Sequence, residues 1–568
     1  MLKGGENVSG ASEERTAYQP ILRGRRRIYT DEWHVDERNV IAVLQNTITY
    51  HEQNALEMRF LLDYEKGYQP LRRTKTVRED VNVSAVDNVA NQIVSFWCGY
   101  SWGNPILYIQ RGSKDMSGSD DEANSIQDVG ITMLNEMNEI EYAQTKDQEL
   151  ARYVEICGVG YQMIDVRPRF DGISAFDLMT LNPLYTYCIY RNNARKEKVA
   201  GVTFHRSIDS GNTYYTVFTN DKRFEILNQT KIVDEFGNTT KTDIWKLETD
   251  RATGLPYYLN PFDVVPIVEF DRVADRTGAF ERQVGDMDAL NIESSDFVNL
   301  FCQSVQEIWW GVDFELPKDS AGKTVKPING QWLLGKSING GKPDLKPLHS
   351  DIDFDGIQKN IETRRDLILQ KCYVPLQSEP GGGSTGTAMS MSSGWAAAES
   401  FAAMKEQMAF RGKMEIVQLE IQAINTTTGI AEDSPLLQLR PSDVKPQFTR
   451  NKTYDLVSKV NAMVTMIKSG INGRVAFETV NLFPDVAQAW ADSKEVVEKY
   501  QTAIINRAEN TYVSAYTKRE DAEASEGGRA GADESDQMVN SPIVNTYPGG
   551  QEATTAMRSE KRTGSDFL

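Results

Sequence analysis

Histidine is scarce in this sequence and its cysteines are scattered. Among 568 residues there are four histidines and five cysteines, with no CxxC pair. No two of these residues stand at metal-ligand spacing, and none accompanies a nucleophile motif, so zinc chemistry and triad catalysis are poorly supported. An odd, dispersed set of thiols indicates reduced, buried cysteines rather than a disulfide framework. The residues concerned are His34, His51, His205, His349, Cys98, Cys157, Cys188, Cys302 and Cys372.

Long apolar runs are also missing. No stretch of about 18 apolar residues occurs, which argues against a membrane span. The first residues, Met1–Glu6, lack the apolar stretch of a signal peptide. We therefore expect a protein made and kept in the cytoplasm, unless an assembly carries it out.

The sequence is short of positive charge. Its formal net charge is −19. A protein that grips nucleic acid tightly should be basic, because neutralisation of phosphates by Lys and Arg dominates the affinity. The charge argues against a repressor or a nuclease, but not against a surface past which DNA moves without sticking.

The apolar pattern predicts an α+β chain that is mainly helical. Helical spacing covers residues 36–63, 83–99 and about 126–156, and alternating residues predict strands between 158 and 270. The length favours three or four domains.

A helix–strand–helix arrangement is predicted for residues 281–375. Apolar stripes indicate one helix over 281–308 and a second within 351–375. The insert between them, 309–350, is rich in Gly, Pro and Lys. Two helices of roughly 30 Å with a β module at their far ends would form a stalk with a tip. The tryptophans of this insert are Trp309, Trp310 and Trp332.

A glycine-rich segment, 376–392, follows the second helix. A nucleotide-binding phosphate loop requires a lysine before its last Ser or Thr and a strand before its glycines, and both are missing here. The segment therefore predicts a mobile loop, and we expect no cofactor. Its central residues are Gly381, Gly382, Gly383, Ser384, Thr385, Gly386 and Thr387.

Four acidic residues match the spacing of a calcium loop. They are Asp351, Asp353, Asp355 and Glu362. The usual apolar residue at the eighth loop position is Gln358, and a Gly- and Pro-containing stretch stands where the entering helix should be. Acidic residues at a helix N-terminus also cap free N–H groups, so capping is the favoured interpretation and calcium the alternative.

Both ends of the sequence are polar. Residues 1–36 contain the basic cluster Arg23–Arg27, which is either a solvated arm or an arm that contacts nucleic acid or an acidic partner. Residues 510–568 have few apolar side chains and predict a disordered tail. Residues 393–451 predict a long helix and a strand, and 452–509 predict shorter helices.

Several segments carry a resemblance together. The early ones are Tyr64–Leu71 (YEKGYQPL), Asp87–Val94 (DNVANQIV) and Gly99–Ile106 (GYSWGNPI); the later ones are Val265–Phe270 (VPIVEF) and Ser392–Ala396 (SSGWA). In order and spacing over about residues 40–505, this chain resembles the portal proteins of tailed bacteriophages. The glycine-rich loop before Ser393 and the two tails depart from the family pattern.

The resemblance implies a subunit with wing, stem, clip and crown parts, assembled into a ring that is typically of twelve copies. The segments map as N-terminal arm 1–36, wing 37–280, first stem helix 281–308, clip 309–350, second stem helix 351–375, channel loop 376–392, long kinked helix and wing return strand 393–451, crown 452–509 and tail 510–568.

The resemblance also implies a role. Such a ring is a non-enzymatic channel at one vertex of the capsid, through which double-stranded DNA is packaged and ejected. The implied partners are further copies of the chain, the major capsid and scaffolding proteins, the large terminase subunit and the head–tail adaptors, with no membrane. Assembly would take place in the host cytoplasm and the product would reside in the virion. Lys359, Arg364 and Arg365 are candidates for channel-lining charges that moderate the repulsion of DNA.

Two other functions remain open at this point. One is a different ring-forming structural or scaffold protein of a virion. The other is a metal-dependent nuclease, which would need a cluster of acidic residues beside a lysine that the sequence does not present.

Overall fold

The computed structural model describes most of residues 20–503. The described ranges are 20–71, 82–110, 121–231, 242–304, 308–312, 318, 322–323, 344–348, 353–376, 394–450, 456–480, 489–490 and 492–503. The chain divides into two compact units, Met1–Ala462 and Met463–Leu568.

Helices and strands are mixed, as the α+β prediction requires. The helices are α1 (Val40–Glu65), α2 (Val89–Trp102), α3 (Asp121–Ile140), α4 (Ala143–Cys157), α5 (Val284–Ser304), α6 (Phe354–Lys371), α7 (Trp395–Thr426), α8 (Leu456–Lys468) and α9 (Gly473–Val480). Short 3₁₀ turns occupy Glu281–Gln283 and Pro435–Gln438.

The largest sheet has seven strands in the order β1-β5-β6-β7-β8-β10, with β9 also paired to β8. The strand β1 is parallel to β5, and the other pairs are antiparallel. Helix α1 covers one face, where Leu44 packs with Tyr187 and Phe224. The strands are β1 (Ile28–Thr30), β5 (Thr186–Arg191), β6 (Lys198–Arg206), β7 (Thr213–Phe218), β8 (Lys222–Lys231), β9 (Thr242–Leu247) and β10 (Tyr258–Leu259).

A second sheet of three antiparallel strands has the order β11-β3-β4. It packs against the long helix α7, and the ring of Phe270 lies so close to Gly412 that a Cβ there would stand 2.5 Å from it. Glycine is therefore required where this helix crosses the sheet. The strands are β3 (Val159–Val166), β4 (Phe176–Leu181) and β11 (Ile267–Asp271).

The described residues also form two short antiparallel pairs of strands. They join β2 (Leu107–Gln110) to β14 (Val444–Gln447) and β12 (Ile308–Val312) to β13 (Asp344–Leu348). The second unit, described by itself, has a small core in which Ile467, Ala476 and Phe477 are buried and Trp490 packs against them.

Three expectations about individual elements are wrong in detail. The helix predicted over 126–156 is two helices, α3 and α4, because the chain turns at Tyr142 with a φ of +54°. The helix predicted from Val83 begins at Val89, capped by the side chain of Asn88. The strand predicted within residues 393–451 is short: β14 covers only Val444–Gln447 and follows a 3₁₀ turn.

Candidate functional site

An antiparallel helix hairpin forms the predicted stalk. Helices α5 and α6 pack side by side, with the ring of Phe354 6.1 Å from the rings of both Phe297 and Phe301. The ribbon β12–β13 lies between them in sequence. The helix–strand–helix arrangement predicted from apolar spacing is thus present as secondary structure, and α5 alone is about 31 Å long at 1.5 Å per residue.

Ion pairs fix the alignment of the two helices. Arg364 makes two hydrogen bonds to the carboxylate of Glu293, both of 2.8 Å, and Lys371 donates to Asp286 over 2.6 Å. These side chains are between about a third and a half exposed. Each pair therefore contributes at most about 1 kcal/mol to stability, but together they select one register of the hairpin.

The candidate calcium loop is a helix cap. Asp353 accepts a hydrogen bond of 2.9 Å from the backbone N–H of Gly356 and so caps α6, as the favoured interpretation expects. Glu362 lies nine residues further along the helix, about 13 Å away in rise, and its Oε1 accepts a hydrogen bond from Gln358. The carboxylates of Asp353 and Glu362 therefore do not converge as calcium ligands must. Asp355 is in the first turn, and Asp351 lies outside the described residues.

The three candidate channel-lining cations do not share one face of α6. Arg364 is turned toward α5, while Arg365 donates to Gln92 and lies 3.5 Å from Asp87. Lys359 is exposed on the side of the helix away from α5. Since these positions point in different directions, a single lumen could receive only part of the set.

The predicted tip and loop are described only in part. The backbones of Trp309 and Trp310 belong to β12, where they pair with Pro347 and Lys346. Trp332 lies outside the described residues, and so does the whole candidate channel loop: Gly381, Gly382, Gly383, Ser384, Thr385, Gly386 and Thr387.

Aromatic contacts hold the chain where this loop leaves α6 and enters α7. Tyr373 stacks on Phe401 with ring centroids 4.5 Å apart, and the indole N–H of Trp97 donates to the Cys372 carbonyl over 3.2 Å. Gly394 begins α7 with a φ of +81°, a conformation that favours glycine. Both neighbours of the loop are thus fixed to the same body.

The basic cluster near the N-terminus was misjudged from the sequence. The Arg25 side chain is 1% exposed and makes 2.8 Å ion pairs with Glu57 and Glu281. Arg27 pairs with the buried Asp271 over 2.5 Å. The cluster is therefore neither a solvated arm nor a contact for nucleic acid, because the chain's own carboxylates occupy three of its guanidinium groups, those of Arg25, Arg26 and Arg27. Glu281 immediately precedes α5, so this segment is tied to the base of the hairpin.

A second buried group of charges lies beneath the start of α7. Lys405 contacts the face of the Trp97 ring at 3.9 Å and forms an ion pair with Glu155, which also accepts from Arg272 over 2.7 Å. Burial lowers the pKa of Lys405 to about 8, although Glu155 opposes the shift. Burial alone would raise the pKa of Glu155, but Lys405 and Arg272 hold it below its usual value.

One carboxyl in the last third of α7 is buried with few groups that would stabilise its charge. Glu420 is fully buried, and its Oε1 accepts a 3.2 Å hydrogen bond from the hydroxyl of Tyr108. Lys413 is already committed to Asp147 and Gln162. Burial raises the pKa of Glu420 to about 8, so that it holds a proton at neutral pH.

These buried charges join elements that are distant in the sequence. Within the described ranges, no group of three or more His, Cys, Asp or Glu residues could hold a metal ion. The described helices also include none that is long and apolar enough to cross a membrane. No sequence motif marks the buried pairs, because each joins residues far apart in the chain.

Among the comparisons with known proteins, a family model gives the assignment. A family model described as "Phage portal protein, SPP1 Gp6-like" matches residues 44–502. No curated protein matches the chain. A chain from a solved structure entitled "Neck of empty GTA particle computed with C6 symmetry" aligns with 11% identity and a TM-score of 0.33, over 73% of this chain and 95% of that one. Since the family model spans most of the 568 residues, the chain belongs to the SPP1 Gp6-like family of phage portal proteins.

Proposed function

We propose that this protein is the subunit of a ring, of twelve copies, that forms the DNA channel at one vertex of a tailed-phage capsid. Portal proteins are structural components of the virion rather than enzymes. The family match supports the proposal, and the hairpin of α5 and α6 is the structural observation that carries it. A rigid pair of long helices with a strand ribbon at one end is suited to form one subunit's part of a channel wall.

The parts of the subunit follow from that role. In this proposal residues 37–280 form the wing, 281–308 and 351–375 the stem, and 309–350 the clip. Residues 376–392 narrow the channel, and 452–509 form the crown.

The excess of acidic residues fits a conduit. With a formal charge of −19 on each copy, a ring would repel duplex DNA on average. Weak contact favours movement, whereas tight binding to phosphates would hold the DNA in place.

The ring would also bind other proteins of the virion and of the packaging machinery. We propose that its clip side binds the large terminase subunit during packaging and the head–tail adaptors afterwards, while the outer parts contact the major capsid and scaffolding proteins. Assembly would occur in the host cytoplasm, and double-stranded DNA would pass in both packaging and ejection without sequence recognition.

Negative-stain electron microscopy of the purified protein tests the proposal. We expect rings with a central hole wide enough for duplex DNA. A protein that stays monomeric at every concentration would contradict the proposal, and rings without a hole would favour a different structural component of the virion.

A further inference from the structure

Helix α5 holds an extended segment of backbone through three polar side chains. Asn299 accepts from the N–H of Val83 over 2.7 Å and donates to its carbonyl over 2.9 Å. Ser295 does the same for Ala85, at 2.9 and 3.1 Å. We call Asn291, Ser295 and Asn299 the polar ladder, and Val83–Asp87 the held strand.

With its third residue, the spacing of the polar ladder on α5 matches the spacing of alternate residues in the held strand. Asn291 accepts from the N–H of Asp87 over 2.9 Å and donates to Gln69. The rungs are four residues apart on a helix, a rise of about 6.0 Å, and bind every second residue of an extended chain, a rise of about 6.6 Å. All three rungs are at most 1% exposed, so the held strand is fixed in place of the helix that the sequence predicted there.

Among the residues that the structure describes, none pairs with the other edge of the held strand. In an extended chain, successive residues direct their N–H and C=O groups to opposite edges. Because the residues at 83, 85 and 87 bind the ladder, Ser84 and Val86 direct theirs away from α5. Both are exposed, and within the described ranges the backbone of neither forms a hydrogen bond. An open edge of this kind is a template for pairing with another chain.

The hairpin places a polar helix face on its opposite side. On α5 the ladder and the residues that contact α6, such as Glu293 and Phe297, lie roughly 160° apart at 3.6 residues per turn. Helix α6 in turn directs a row of exposed polar residues away from α5. These residues are Lys359, Thr363, Asp366 and Gln370. At its end the held strand reaches α6, where Asp87 lies 3.5 Å from Arg365, but Arg365 is roughly 160° around α6 from Thr363. The unpaired backbone groups and the exposed polar row of α6 therefore lie on different flanks of the hairpin.

We propose that in the ring the open edge of the held strand is covered by the polar outer face of α6 from the neighbouring copy. The inference rests on the proposed function, since it needs a ring of hairpins. A second copy is the occupant that the geometry favours, because every copy carries one open edge and one polar face on opposite flanks. A contact between two different surfaces repeats around a closed ring and leaves neither unused. Polar side chains of the neighbour's α6 would form hydrogen bonds with the backbone of Ser84 and Val86, as the polar ladder does with Val83, Ala85 and Asp87.

Disulfide trapping tests the contact directly. The change is Ser84→Cys in one preparation and Thr363→Cys in another, co-assembled into mixed rings and oxidised. No single chain carries both introduced cysteines, so a disulfide between them must join two copies. A disulfide requires Cα atoms roughly 4.4–6.8 Å apart, so it can form only between neighbours. We expect covalent dimers from the mixed rings.

The controls use the same oxidation. Rings of either single variant should remain monomeric on a denaturing gel, as should rings that combine Thr363→Cys with Ser210→Cys, on an exposed turn. Rings that form normally but give no more dimer than these controls would overturn the inference and leave the proposed function intact. Absence of rings would instead overturn the proposed function, and the inference with it.

Hydrogen exchange gives a second readout that needs no substitution. The amides of Val83, Ala85 and Asp87 should exchange slowly in both subunits and rings. Those of Ser84 and Val86 should exchange quickly in isolated subunits and at least tenfold more slowly in rings. If Ser84 and Val86 are protected equally in both states, something other than a neighbour covers the edge and the inference is wrong.

Discussion

At the scale of single residues, Arg25 has the largest expected effect. It is buried between two carboxylates that belong to different parts of the fold, Glu57 on α1 and Glu281 before α5. Removing one partner of a buried ion pair leaves charge without compensation and typically costs about 3–5 kcal/mol. We expect Arg25→Ala to lower the free energy of unfolding of the subunit by that order, measured by chemical denaturation.

The same basic cluster contains a matched control. Arg23 is exposed, so Arg23→Ala should change stability by less than about 0.5 kcal/mol. Equal small effects of the two substitutions would mean that the cluster is a solvated arm after all.

Glu420 should make stability depend on pH. Its pKa is about 8 when folded and near 4.5 when unfolded, so between those values the folded state holds a proton that the unfolded state has released. Stability contributed by this group is therefore complete below about pH 4.5 and declines as pH rises toward 8. We expect Glu420→Gln, a neutral mimic of the protonated acid, to raise the melting temperature at pH 7–8 and to change it little at pH 5.

The comparison variant is Glu432→Gln, an exposed position that should leave the pH profile unchanged. A Glu420→Gln protein that is destabilised equally at pH 5 and pH 8 would show that the carboxylate form is needed.

The buried positions of Arg25 and Glu420 could not be predicted from the sequence. Charged residues are ordinarily exposed, and their partners here lie tens to hundreds of positions away.

At the scale of elements, the hairpin depends on complementary charges. Helix α5 contains Asp286 and Glu293 where α6 presents Lys371 and Arg364. We expect Glu293→Arg to lower the stability of the hairpin by about 1 kcal/mol through repulsion of Arg364, and the double exchange Glu293→Arg with Arg364→Glu to restore most of it. Thermal unfolding of the three proteins measures both effects. Failure of the double exchange would mean that the pair does not set the register.

Elements with strong periodicity could be predicted, and those fixed by distant partners could not. The stripe that predicts the long helix near 395–425 is realised by α7, Trp395–Thr426. Residues 83–87 also have helical apolar spacing, yet they are extended, because the side chains of Asn291, Ser295 and Asn299 satisfy their backbone. The sequence around residues 83–87 does not reveal these partners, since the polar ladder lies more than 200 residues further along the chain.

At the scale of the whole molecule, the order of several weak motifs indicates the family. Segments such as Tyr64–Leu71 and Val265–Phe270 are unspecific alone, but their succession identified the family that the comparison confirms. The geometry explains part of that succession: Gln69 of the first motif bonds to Asn88 of the second and to Asn291 of α5. Residues of the first two motifs thus meet beside α5. The channel loop, clip and crown assignments stay predictions.

The most direct test of the central claim is a cryo-electron microscopy reconstruction of the assembled protein. The account predicts a closed ring whose central channel admits a DNA duplex and whose wall at the narrow part contains the hairpin of α5 and α6. A ring with that hairpin on its outer surface, or a protein that forms no ring, would contradict it.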